Sequence, residues 1–117
     1  DGDLDIVTNE HYARPQVLLS NLADNNEIHY LKLKFRGETN NRSGIGTKVE
    51  ITLPDGSKLH RVYDGKSGFI SQSDYPLYVG LGENGGFSSI EVTWANGRQQ
   101  AVAGSSHINR VLWIEEN

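Results

Sequence analysis

The residues with the most chemistry to offer open the chain. Asp1, Asp3 and Asp5 place a carboxylate at every second position, broken by Gly2. That spacing suits a loop wrapping a hard cation such as Ca²⁺, whose shell is built from oxygen ligands. With only part of such a ligand set in the chain, the expected affinity is weak, about millimolar at best. A second set is the acid pair Asp64 and Asp74, which flanks an aromatic loop. Glycoside hydrolysis needs two acids set across a cleft. A third set is aromatic. Phe69, Tyr75 and Trp94, with Gln72 among them, could form a sugar platform or a protein-binding surface. Arg42 precedes the Gly44-Ile45-Gly46 bend, and its planar fork suits carboxylates or carbonyls. It is expected to be a structural anchor bonded to backbone carbonyls or to an acid such as Asp64 or Asp74, or alternatively to contact a ligand from its loop.

Other catalytic patterns fail on inspection. Gly65-Lys66-Ser67 resembles the end of a phosphate loop. The leading glycine of that pattern is missing, and Phe69 to Ser73 does not open a helix. His11, His29, His60 and His107 lack the short spacings of a zinc site. Ser71, His107 and Asp74 supply the types of a catalytic triad, but nothing local marks a nucleophile elbow. The expectation is a protein that is not an enzyme.

The elements that position these residues are strands. Leu4, Ile6 and Val7 begin one, and Gln16 to Asn21 returns after Arg14-Pro15. Leu22 to Glu27 is polar and reads as a linker. Leu31, Leu33 and Phe35 then alternate with Lys32, Lys34 and Arg36, giving a half-buried strand with a basic outer face. Val49, Ile51 and Leu53 alternate likewise before the turn Pro54-Asp55-Gly56-Ser57. Ile90, Val92 and Trp94 lead into Asn96-Gly97, which asks for a type I′ hairpin. Ile108, Leu112 and Ile114 belong to a closing strand, with Trp113 on its opposite face. No stretch holds a helical period over three turns.

Bulk composition fits this reading. The chain has 117 residues, room for one domain with a core of its own. Thirteen glycines and ten asparagines favour tight turns. There is no cysteine, so disulfides and thiolate metal sites are excluded. The formal net charge of −4 argues against a nucleic-acid partner. No apolar run reaches the length of a membrane span. The chain does not begin with Met and is read as an excised piece of something longer.

Four motifs then fall in order: Asn41 to Thr47 with its Asn-Arg-x-Gly-Ile-Gly-Thr, Gly65 to Ser73, Gly80-Leu81-Gly82, and Val92 to Gly97. Together they resemble the ASPIC/UnbV domain over roughly residues 29 to 115. Ala95 stands where that family usually has proline. Asp1, Gly2 and Asp5 resemble the end of an FG-GAP repeat, a propeller-blade motif that precedes this domain in such proteins. The resemblance implies a secreted or cell-surface protein with a role in adhesion or protein recognition. The expected architecture is all-β: a repeat-derived hairpin and linker over 1–25, then an antiparallel sandwich of about seven strands over 26–117. Three kinds of partner are expected: a protein, which includes other copies of the chain or a preceding propeller; alternatively a glycan held by Phe69, Tyr75 and Trp94; or the neighbours of a subunit in an extracellular polymer. The apolar set Leu4, Ile6, Val7, Val17, Leu18 and Leu19 favours self-association through the hairpin.

Overall fold

Short alternating segments and frequent turn residues build strands almost everywhere. A computed structural model describes residues 2–66, 68–72 and 76–117. The elements are β1 (Ile6–Thr8), β2 (Gln16–Leu18), the single turn α1 (Leu22–Asn25), β3 (His29–Arg36), β4 (Lys48–Thr52), β5 (Lys58–Val62), β6 (Leu77–Gly82), β7 (Phe87–Thr93), β8 (Gln99–Ser105) and β9 (Arg110–Glu115). Strands β1 and β2 form a hairpin of their own. The other seven strands form two sheets, ordered β6-β3-β9 and β5-β4-β7-β8.

Period-two alternation turns one side of each sheet inward. From the smaller sheet come Leu31, Leu33, Phe35, Val79, Leu81 and Ile114. From the larger come Val49, Ile51, Phe87, Ile90 and Val92. Register lines these up: Leu59, Ile51, Ile90 and Val102 form one row across the larger sheet. Phe35 meets the edge of Trp94, with ring centroids 6.2 Å apart, and lies 5.4 Å from Tyr63. These contacts join the sheets into one core.

Three local features depart from the sequence reading. The sheets are antiparallel except where β3 and β9 run parallel, with Leu33 beside Leu112 and Phe35 beside Ile114. A parallel pair needs a crossover, and here the chain between them supplies it by building the other sheet. The Asn96-Gly97 turn is not type I′. Only Gly97 has positive φ, at 88°, while the Gly97 N–H donates to the Trp94 carbonyl and the Trp94 N–H to that of Arg98. That is a three-residue hairpin with glycine at its left-handed position. Pro54-Asp55-Gly56 repeats the arrangement, with Gly56 at 84°. Finally, the polar linker contains a helical turn, because the Asn26 N–H and side-chain amide both donate to the Leu22 carbonyl. Among the described residues no helix is long and apolar enough to cross a membrane.

Gly44 sits at φ +73°, and a Cβ there would lie 2.3 Å from the Phe35 Cβ. Gly56, at φ +84°, has open space around it. Both substitutions to Ala incur the left-handed cost of about 1–2 kcal/mol. Gly44→Ala also displaces a core aromatic. In urea unfolding, Gly44→Ala is expected to lose at least about 2 kcal/mol more than Gly56→Ala. Equal losses would show that Phe35 yields freely.

Candidate functional site

The glycine loop is held from two directions, and neither involves the Arg42 guanidinium. Asn41 accepts the Ile45 N–H on its Oδ1 at 2.8 Å and donates through Nδ2 to the Ile45 carbonyl at 2.6 Å. The Gly46 N–H donates to the Tyr63 carbonyl and the Tyr63 N–H to that of Thr47, which stitches the loop to the end of β5. Arg42 is exposed, and among the described residues its guanidinium has no hydrogen bond or ion pair. The loop is therefore anchored by an asparagine clamp in place of the expected arginine.

The buried charge lies at the other end of the chain. The Glu116 side chain is 1 % exposed. Its Oε2 accepts the N–H groups of Glu38, Thr39 and Asn40 at 2.7, 2.8 and 3.0 Å. Its Oε1 accepts the Thr39 hydroxyl and the Asn40 amide, both at 2.6 Å, with Arg98 at 3.6 Å. Burial alone would push this carboxyl up. The Thr39 hydroxyl and the N–H groups of Asn40, Glu38 and Thr39 outweigh it and hold the pKa at about 2. The signal in the sequence was only a Glu-Glu pair at the end of the closing strand, which looks like a solvated end.

The candidate sugar platform is taken apart. Trp94 is 1 % exposed, with its Nε1–H donated to Gln100, so it cannot stack on a ligand. Phe69 stands out at 92 % exposed, next to Ile70 at φ 51°. Gln72 is exposed and forms an isolated bridge with Lys66. Tyr75 lies outside the described residues, as do Asp1 and Asp74. Asp64 accepts the Lys66 N–H at 3.0 Å, a local turn contact.

The acidic N-terminal segment is tied into its own hairpin. Asp5 Oδ1 accepts the Ser20 N–H at 2.9 Å, and Asp3 Oδ2 accepts the Ala23 N–H at 3.0 Å. The Ala23 N–H, aided by Ser20, holds the Asp3 carboxyl below its usual range. Asp3 Oδ1 is buried without a hydrogen-bond partner among the described residues. Asp3 and Asp5 together have fewer carboxylate oxygens than the 6–8 ligands that Ca²⁺ takes. Among the described residues no group of three or more His, Asp or Glu converges on one metal position.

Two open surfaces remain. One is the hairpin β1–β2, where Leu4, Ile6, Val7, Val17, Leu18 and Leu19 are 54–75 % exposed. Among the described residues its two strands pair only with each other. The other is the outer face of β6-β3-β9. There Lys32 lies over the rings of Tyr30 and Tyr78, and Lys34 lies over that of Trp113, 5.0–5.3 Å from the centroids. A cleft of about 610 Å³ beside Trp113 is lined by Lys34, Arg36, Arg42, Ser43 and Tyr63.

A family model described as ASPIC and UnbV matches residues 37–117, beginning one residue after β3 ends. No curated protein and no solved structure matches the chain.

Glu116 makes stability depend on pH with a definite sign. Its folded pKa lies below the ordinary 4.5, so its contribution is full above about pH 4.5 and is lost as pH falls towards 2. Urea midpoints measured across that window are expected to fall for the wild type. The Glu116→Gln variant should be weaker at neutral pH and flatter in acid; matching profiles would mean the clamp carries no such linkage. Ca²⁺ titration by calorimetry is expected to give a dissociation constant no tighter than about millimolar. Micromolar binding abolished by Asp5→Ala would overturn this.

Proposed function

This chain belongs to the ASPIC and UnbV family, and from that premise we propose a non-catalytic, extracellular recognition module that joins proteins through open surfaces. The hairpin carries the reading. Six aliphatic side chains, Leu4, Ile6, Val7, Val17, Leu18 and Leu19, stand at 54–75 % exposure along it. Val7 pairs with Val17 on one face, and Ile6 with Leu18 on the other beside the polar pair Thr8 and Gln16, so each face carries an apolar pair. A two-stranded hairpin is marginal in water. Covering three or four of these side chains is worth roughly 1.5–3 kcal/mol each. Unpaired edges add backbone donors and acceptors that a neighbouring strand can take up.

The similarity of Asp1, Gly2 and Asp5 to an FG-GAP loop supports a preceding propeller as one natural cover. A second copy serves the same chemistry. Any Ca²⁺ would then be completed by oxygens from outside residues 2–5. The absence of cysteine is compatible with a secreted or surface location, which rests on the family premise. The glycan alternative loses its central residue with Trp94 in the core.

Sedimentation velocity tests the reading. The chain on its own is expected to associate as concentration rises. The double variant Val7→Lys/Leu18→Lys places a charge on each hairpin face and should stay monomeric with an unchanged melting temperature. A wild type that is monomeric at its solubility limit, with a protease-resistant hairpin, would mean that the hairpin needs no neighbour.

A further inference from the structure

The outer face of β6-β3-β9 is a second surface, distinct in chemistry from the hairpin. Lys32, Lys34 and Arg36 sit at alternate positions of β3 and so point the same way. Alternate residues of a strand recur about every 6.8 Å. Arg42 extends the row, since it lines the same cleft as Lys34, Arg36 and Trp113. Register places Tyr78 beside Lys32, Trp113 beside Lys34, and Glu115 beside Arg36.

Three features make this more than a solvated strand. First, the lysine heads are held over neutral rings rather than against carboxylates. A ring steadies an ammonium without cancelling its charge. Second, no carboxylate among the described residues pairs with Lys32, Lys34 or Arg42. The Arg36–Glu115 contact is 3.4 Å with both side chains more than half exposed, so water or a competing acid can replace it at little cost. Third, Trp113 on β9 is 57 % exposed and Tyr78 on β6 is 37 % exposed, one on each side of β3. Trp, Tyr and Arg are the residue types that carry most binding energy at protein interfaces. The face is basic on a chain whose net charge is −4, so the charge is concentrated rather than general.

We propose that this face docks an extended acidic segment of a partner protein. An extended chain repeats its same-side side chains at the same spacing as β3 does. Carboxylates at alternate positions would therefore meet Lys32, Lys34 and Arg36 in register, with Trp113 as the apolar anchor. The inference rests on the recognition-module reading but uses none of the hairpin residues.

Fluorescence anisotropy on the full chain tests it with three probes. One is a labelled peptide of alternating Glu and Thr, one has the same composition in two blocks, and one is labelled heparin. The alternating peptide is expected to bind tighter than the block peptide, and more weakly as salt rises. Lys34→Glu/Arg36→Glu should weaken it by about tenfold or more, and Trp113→Ala by several-fold. Circular dichroism melts check each variant; Lys34→Gln/Arg36→Gln serves if the charge reversal unfolds the sheet. Equal binding of the two peptides would overturn the register match. Heparin binding tighter than either peptide, with the same variants losing it, would assign the face to an anionic polysaccharide instead. Failure of all three probes would sink the proposal. The Val7→Lys/Leu18→Lys variant separates the two readings: it should keep peptide binding while losing self-association. Loss of association behaviour in the wild type with peptide binding intact would count against the hairpin alone.

Discussion

One buried carboxylate holds the corner where the sheets meet. Glu116 follows β9 directly, so its position is fixed by the parallel pairing with β3. Its oxygens collect the N–H groups of Glu38, Thr39 and Asn40, which have no strand partner of their own. Asn40 in turn accepts the Asn96 N–H at 2.9 Å, and Arg98 reaches the same carboxylate. The loop leaving β3, the turn between β7 and β8, and the end of the chain are thereby tied to a single charge. Backbone donors in a buried bend need an acceptor, and an anion satisfies several of them at once.

Local chemistry was readable from the sequence to the extent that it was local. Leu31-Lys32-Leu33-Lys34-Phe35 announces its strand and its faces, because burial on one side forces alternation. Pro54-Asp55-Gly56 announces its turn, since proline and glycine fix φ where the bend requires it. The parallel β3–β9 pair left no trace, because its partners lie 79 positions apart along the chain, as Leu31 and Arg110 do. The anchor was misread for the same reason. Arg42 lies beside the glycines in sequence, whereas Glu116 reaches the neighbouring bend only through the fold. Trp94 shows the converse. Its alternation with Ile90 and Val92 already pointed inward, yet aromatic type drew it towards a binding surface.

The two open surfaces differ in what they require of a partner. The hairpin offers apolar area and free edges, so shape and strand pairing decide what covers it. The β6-β3-β9 face offers ordered charge with aromatic anchors. On the proposed reading, a module carrying both can be joined to a neighbour at one place and still select by charge at another.

The parallel pairing of the first and last strands of the sandwich also governs how the domain is made. On a growing chain, β3 emerges early and finds β6 for one edge, while its other edge waits for β9. Until then Phe35 lacks Ile114, and the loop after β3 lacks Glu116. Contacts of such sequence separation close slowly, because the loop entropy is lost before they form. Translation must therefore pass β9 before the sandwich can close. In that interval the exposed edge of β3 is the part most in need of protection from wrong pairing.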